Sequence, residues 1–239
     1  MTPQKAYILA IDDEISKEYT QTCIDSCKKV GMPYEVFYGI DYKKIKGNME
    51  IWGNLKFLEL KKSPNINGAG ACATAGHVMI WNKIVENKEC AIILEHDSLL
   101  LHKVDIEIPD ETVVVLGYKV TDPENYKHEE AGPPNRLEYR KKHGGAHAYA
   151  LTWKTAERLI KNIKGSKKPL AQMIDNAYFL SNRGRGEDVP LAIVDPIAAL
   201  GWLRKSTIWK KSAVDNYKPI LDSFKNYYKS EADLGLKNP

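Results

Sequence analysis

Ala91-Ile-Ile-Leu94 runs without a polar interruption into Glu95-His96-Asp97, and few folds accept that junction. Four apolar residues in a row show no alternation, and they are too few for a helix face. They read as a strand buried on both sides, which needs a sheet covered by helices above and below. The amino-terminal segment repeats the pattern: Ala6-Tyr-Ile-Leu-Ala-Ile11 stops at Asp12-Asp13-Glu14. Ser16 is placed to cap a helix running to about Val30, which Gly31-Met32-Pro33 then stops. Tyr34 to Tyr38 alternates like a strand and ends at Gly39-Ile40-Asp41. Strand, helix, strand is the opening of an α/β fold with a mostly parallel central sheet flanked by helices.

Further along, Ala71 to Asn87 is expected to be helical, with Val78, Trp81 and Val85 at spacings of three and four. Thr112 to Gly117 and Ala146 to Leu151 read as strands, Lys154 to Ile163 as a helix, and Leu191 to Val194 as a short strand. Two more helices are expected, over Leu170 to Leu180 and, amphipathic, over Tyr217 to Lys229. Residues 42–67 show no clean period. Residues 118–143 are loop-like, with Asp122-Pro123, Gly132-Pro133-Pro134 and Lys141-Lys142-His143. So long a stretch is a lid or binding loop, or else a domain boundary. The working division is one domain over 1–239: a first part to about 117, the loop 118–143, and a second part over 144–239.

Composition narrows the class. Hydrophobic residues are 43% and charged residues 28% of 239, which describes a packed globule and excludes wholesale disorder. A net charge of +4 is too small to demand nucleic acid as partner, although it permits DNA. No apolar stretch reaches the roughly 20 residues a bilayer needs, and the amino terminus has no basic leader before a cleavable apolar core. Of the four cysteines, Cys23 and Cys27 lie one helical turn apart with no second pair to complete a zinc site. Free thiols in a reducing, cytoplasmic compartment are the expectation.

Glu95 and Asp97 carry the chemistry. On an extended chain they would point the same way, about 7 Å apart, at the carboxyl end of a strand, where open α/β sheets take their ligands. A dication with phosphate ligands would relieve their repulsion, and Mg²⁺ or Mn²⁺ suits such a site better than zinc. The competing reading is a solvated acidic turn after a core strand.

The tripeptide has company. Gly68-Ala-Gly-Ala-Cys-Ala-Thr-Ala-Gly-His77, then Trp81, then Ile92-Ile-Leu-Glu-His-Asp97 resembles the hallmark stretch of glycosyltransferase family 25, the lipopolysaccharide and procollagen sugar transferases. Gly145-Ala-His-Ala-Tyr-Ala-Leu-Thr152, Ser206-Thr-Ile208 and Tyr38-Gly-Ile-Asp41 agree in order, so the likeness runs from about Tyr7 to Ile208. Gly76 stands where the family has Ser, His96 where it has Asp, and Ile11-Asp-Asp-Glu14 replaces its Asn-Leu-Asp-Arg run. The resemblance implies a GT-A type nucleotide-sugar-binding fold with an Asp-x-Asp-like metal motif. It also implies inverting transfer of a hexose, UDP-linked, to a hydroxyl of a glycan or lipopolysaccharide.

Roles follow from that resemblance. Glu95, Asp97 and His147 are the expected holders of Mn²⁺ or Mg²⁺. Asp12, Asp41, His77, Glu95 and His96 are expected on the donor, and Tyr118 and Tyr149 on the acceptor. Asp175, in Gln172-Met-Ile-Asp-Asn-Ala-Tyr178, falls where the family has an Asp ahead of an apolar helix and is the expected base, with Asp188 in reserve. Each has a plainer reading: capping or turn formation for Asp12 and Asp41, a structural histidine for His77, packing for the tyrosines. Lys141, Lys142, Arg183 and Arg185 are phosphate contacts or a solvated face. Other functions fit the residues as well: the same chemistry on a hydroxylated base of viral DNA, a non-catalytic nucleotide- or carbohydrate-binding module, or a metal-dependent phosphoryl-transfer enzyme or nuclease.

Overall fold

The computed structural model describes residues 1–41, 68–119, 132–140, 146–165 and 189–201. The helices expected over 170–180 and 217–229, and the irregular stretch 42–67, lie outside them.

The first apolar run is β1 (Lys5–Ala10), buried from Ala6 onward. Helix α1 (Glu14–Lys29) follows and returns the chain to β2 (Tyr34–Tyr38), parallel to β1. Asp13, not Ser16, caps α1: its carboxylate accepts the Ile15 N–H at 3.1 Å. Ser16 lies inside the first turn, buried, and its hydroxyl accepts the Ile11 N–H at 3.0 Å. The helix stops as Gly31 predicts. Gly31 has φ +69°, its N–H reaches the Lys28 carbonyl, and the Met32 N–H reaches the Cys27 carbonyl, the paired bonds of a Schellman ending.

Helix α2 (Gly68–Asn87) leads into β3 (Cys90–Glu95), which pairs parallel with β1 on the side away from β2. After the short strands β4 (Ser98–Leu100), β5 (Val113–Val115) and β6 (Gly117–Lys119) comes β7 (Arg136–Arg140). Then follow β8 (Ala148–Thr152), α3 (Trp153–Gly165), β9 (Leu191–Asp195) and β10 (Ala199–Gly201). Seven strands form one sheet in the order β2-β1-β3-β8-β5-β9-β7, and β4-β10-β6 form a small second sheet.

The central sheet is mixed rather than mostly parallel. Strand β8 enters antiparallel between β3 and β5, and β7 is antiparallel to β9, so three of the six pairings are antiparallel. Ala148–Thr152 is buried throughout; an apolar run reports burial on two faces in either direction, so its pattern could not disclose the reversal. The stretch 118–143 is not all loop either. It contains the end of β6 and all of β7, an edge strand whose Arg136 pairs with Asp195 and whose Arg140 pairs with Glu138. Thr112 to Gly117 is not one strand: at Leu116 the chain leaves the large sheet and enters the small one.

Two apolar layers cover the sheet. Tyr7, Leu9 and Ile93 pack against Trp81 and Ile84 of α2 and Leu159 of α3. On the other face Ile8, Ile92 and Leu94 pack with Cys23 and Cys27 of α1. Among the described residues no helix is long and apolar enough to cross a membrane.

Candidate active site

The register of β2, β1 and β3 places their carboxyl ends side by side. Ala10 is level with Tyr38, and Leu9 is level with Glu95. Main-chain bonds carry the alignment beyond the strands: Gly39 N–H to the Ala10 carbonyl at 2.7 Å, and His96 N–H to the Leu9 carbonyl at 3.0 Å. Asp12, Asp41 and the tripeptide Glu95 to Asp97 therefore emerge on one edge. Close packing brings α2 to the same edge. A Cβ on Gly76 would lie 2.7 Å from Leu9 Cδ1, and one on Gly39 would lie 3.0 Å from the same atom.

Glu95 is anchored through both its main chain and its side chain. Its N–H donates to the His147 carbonyl at 2.7 Å, and its Oε1 lies 3.4 Å from His77 Nε2. His77 is buried, and its Nδ1 lies 2.9 Å from the Tyr149 hydroxyl. That hydroxyl also accepts the Trp81 indole N–H at 2.9 Å. Burial first, and the Glu95 charge after it, push the Tyr149 phenol well above its ordinary range, so it stays protonated. Tyr149 is wholly buried. It is joined to Glu95 through His77.

Residues 96–97 form a turn, so the alternation of an extended chain ends at Glu95. Glu95 meets His77 of α2, while on α1 burial above all, then the neighbouring Cys27 and last the Asp97 charge, push the Cys23 thiol well up. His96 sits with its ring centroid 5.8 Å from that of Tyr19, also on α1. His147 is buried and gives the acidic turn its carbonyl, which accepts the Ser98 hydroxyl at 2.5 Å besides the Glu95 N–H. Among the described residues no three His, Cys, Asp or Glu side chains gather as a metal cage, so Glu95, Asp97 and His147 do not form one.

Asp12 is exposed and pairs with Lys17 at 2.9 Å. Asp41 lies close enough to the start of α2 to help burial raise the Cys72 thiol to about 12. The four cysteines are buried and unbridged. Tyr118 lies on β6. Asp175, Asp188, Lys141, Lys142, Arg183 and Arg185 lie outside the described residues. Sequence reasoning named His77 and Tyr149 without connecting them. The spacing of His77 and Trp81, four residues on one helix, was the available signal for half of the cluster; nothing local joins either to Tyr149.

Residues 4–174, more than half of the chain, match the family model described as glycosyltransferase family 25 (LPS biosynthesis protein). No curated protein matches the chain.

Proposed function

The chain belongs to glycosyltransferase family 25, and from that premise we propose that it transfers a hexose from a UDP-linked donor to a hydroxyl of a glycan or lipopolysaccharide, inverting the anomeric centre. One observation carries the reading: Asp12, Asp41, Glu95 and Asp97 leave the carboxyl ends of three adjacent parallel strands on one edge. That is where an α/β sheet receives a nucleotide, and it supports a GT-A type arrangement within the mixed sheet.

The residues fit a divalent cation of the kind that keeps water and phosphate ligands. Glu95 and Asp97 are both only partly buried at the edge; one or two carboxylates beside substrate phosphates are what Mg²⁺ or Mn²⁺ takes, without an all-protein cage. Glu95 and Asp97 would hold the ion, which when bound would offset the charge of the diphosphate as it leaves. Helix α2 begins with Gly68-Ala-Gly-Ala71, has no acid in its first turn and starts near Asp41. Its amino-terminal N–H groups are suited to a phosphate. Asp41 and Asp12 serve the nucleoside hydroxyls. Asp175 takes the acceptor's proton as single base, with Asp188 in reserve; inversion needs no nucleophilic carboxylate. The unbridged thiols suit a reducing, cytoplasmic setting, and one domain spans donor and acceptor parts.

The test is release of UDP from a panel of UDP-hexoses with Mn²⁺, comparing the unaltered chain with Asp97→Ala. Slow donor hydrolysis that is lost in the variant supports the reading. Binding of UDP without turnover on any hydroxyl acceptor overturns it in favour of a binding module.

A further inference from the structure

We propose that His77 is a positioning residue, and that Trp81, Tyr149 and His77 form a one-way hydrogen-bond relay that orients the carboxylate of Glu95. The relay deepens the transferase reading and rests on it for its purpose, though not for its geometry.

The direction follows from the donor inventory. An indole N–H only donates, so the Tyr149 oxygen, 2.9 Å from Trp81 Nε1, accepts there. The hydroxyl has one hydrogen to give, and His77 Nδ1 stands 2.9 Å away. If Nδ1 accepts it, the proton of the neutral imidazole sits on Nε2, 3.4 Å from Glu95 Oε1. The reverse tautomer would set a nitrogen lone pair against a carboxylate oxygen, acceptor facing acceptor. Trp81, Tyr149 and His77 are each fully buried at 0% exposure, so bulk water has no access to rearrange the chain.

Glu95 is anchored from inside the fold. Asp12 is held by the flexible side chain of a surface lysine, whereas Glu95 is held by a ring locked from behind. Partners behind a ligating group fix its orientation, and their loss typically costs 10–100-fold in metal affinity. The long His77–Glu95 separation is of the kind that shortens when a site fills.

The relay is tested first without any ligand, on the whole chain labelled with ¹⁵N-histidine, the His77 signals being assigned by their absence in His77→Gln. The expected spectrum shows a protonated Nε2 and an unprotonated Nδ1. Tyr149→Phe or the milder Trp81→Phe should shift Nδ1, and Glu95→Gln should shift Nε2. Mn²⁺ binding in the presence of UDP is measured next. Tyr149→Phe and His77→Ala should weaken it by about 10–100-fold, and His77→Gln, which keeps a donor, should recover part of the loss. A protonated Nδ1 in the unaltered chain overturns the relay. So does unchanged Mn²⁺ affinity in folded Tyr149→Phe and His77→Ala. If the unaltered chain binds neither UDP nor Mn²⁺, the transferase reading falls, while the tautomer and its response to Glu95→Gln still decide the relay.

Discussion

Tyr149 answers to two partners with one oxygen, Trp81 and His77, and its removal leaves both without that oxygen in the interior. A buried polar group stripped of its bond costs about 1–3 kcal/mol, so Tyr149→Phe is expected to lower unfolding free energy by about that amount, read from urea denaturation. The cysteines give an independent check on burial. Burial first pushes the Cys72 and Cys90 thiols to about 12, and Cys23 and Cys27 are inaccessible on the inner face of α1. Since the thiolate is the nucleophile, a thiol-reactive dye at neutral pH should label the native chain slowly. Full labelling should track unfolding; fast labelling of any of the four in native buffer would contradict this packing.

At the scale of elements, glycines set how closely backbones meet. A Cβ on Gly117 would stand 1.7 Å from the Ala199 carbonyl oxygen, and that atom belongs to a paired strand, so it cannot swing aside. Gly117→Ala is expected to cost at least the 1–3 kcal/mol typical of overpacking, roughly, and to separate β6 from β10. Gly76→Ser, the residue usual in the family, meets the end of the Leu9 side chain instead. A rotamer change relieves that contact, so thermal melts should show a smaller loss than for Gly117→Ala. The acidic edge was foreseeable at this scale, because Ala6 to Ile11 and Ala91 to Leu94 each stop at charge. The spacing of Glu95 and Asp97 was not: it assumed an extended chain, and residues 96–97 form a turn.

Across the whole molecule, ion pairs tie distant segments at the opposite end of the strands from the acids. Lys83 of α2 bonds Glu35 of β2, and that bond first of all holds the Glu35 carboxyl below the usual carboxylate range. Lys154 does the same for Asp110. A depressed folded pKa contributes stability that is present above the unfolded value, near 4, and is lost as pH falls through the folded one. Stability should therefore decline on the acid side of about pH 4, and Lys83→Met should flatten that decline slightly, since Glu35 is partly exposed and screened. A pH–stability profile identical to that of the unaltered chain would refute the Glu35 assignment. Local residue order determined that β1 and β3 are strands buried on both faces, that Gly31 ends α1, and that acids gather where those strands end. A run of apolar side chains records burial, and a glycine at positive φ records a turn, within a few residues. Tertiary structure alone decided that β8 runs antiparallel beside β3 and that Tyr149 joins the His77–Glu95 pair. Tyr149 meets Trp81 across 68 residues and His77 across 72, and such contacts depend on which strands pair and in what direction, which no local pattern encodes.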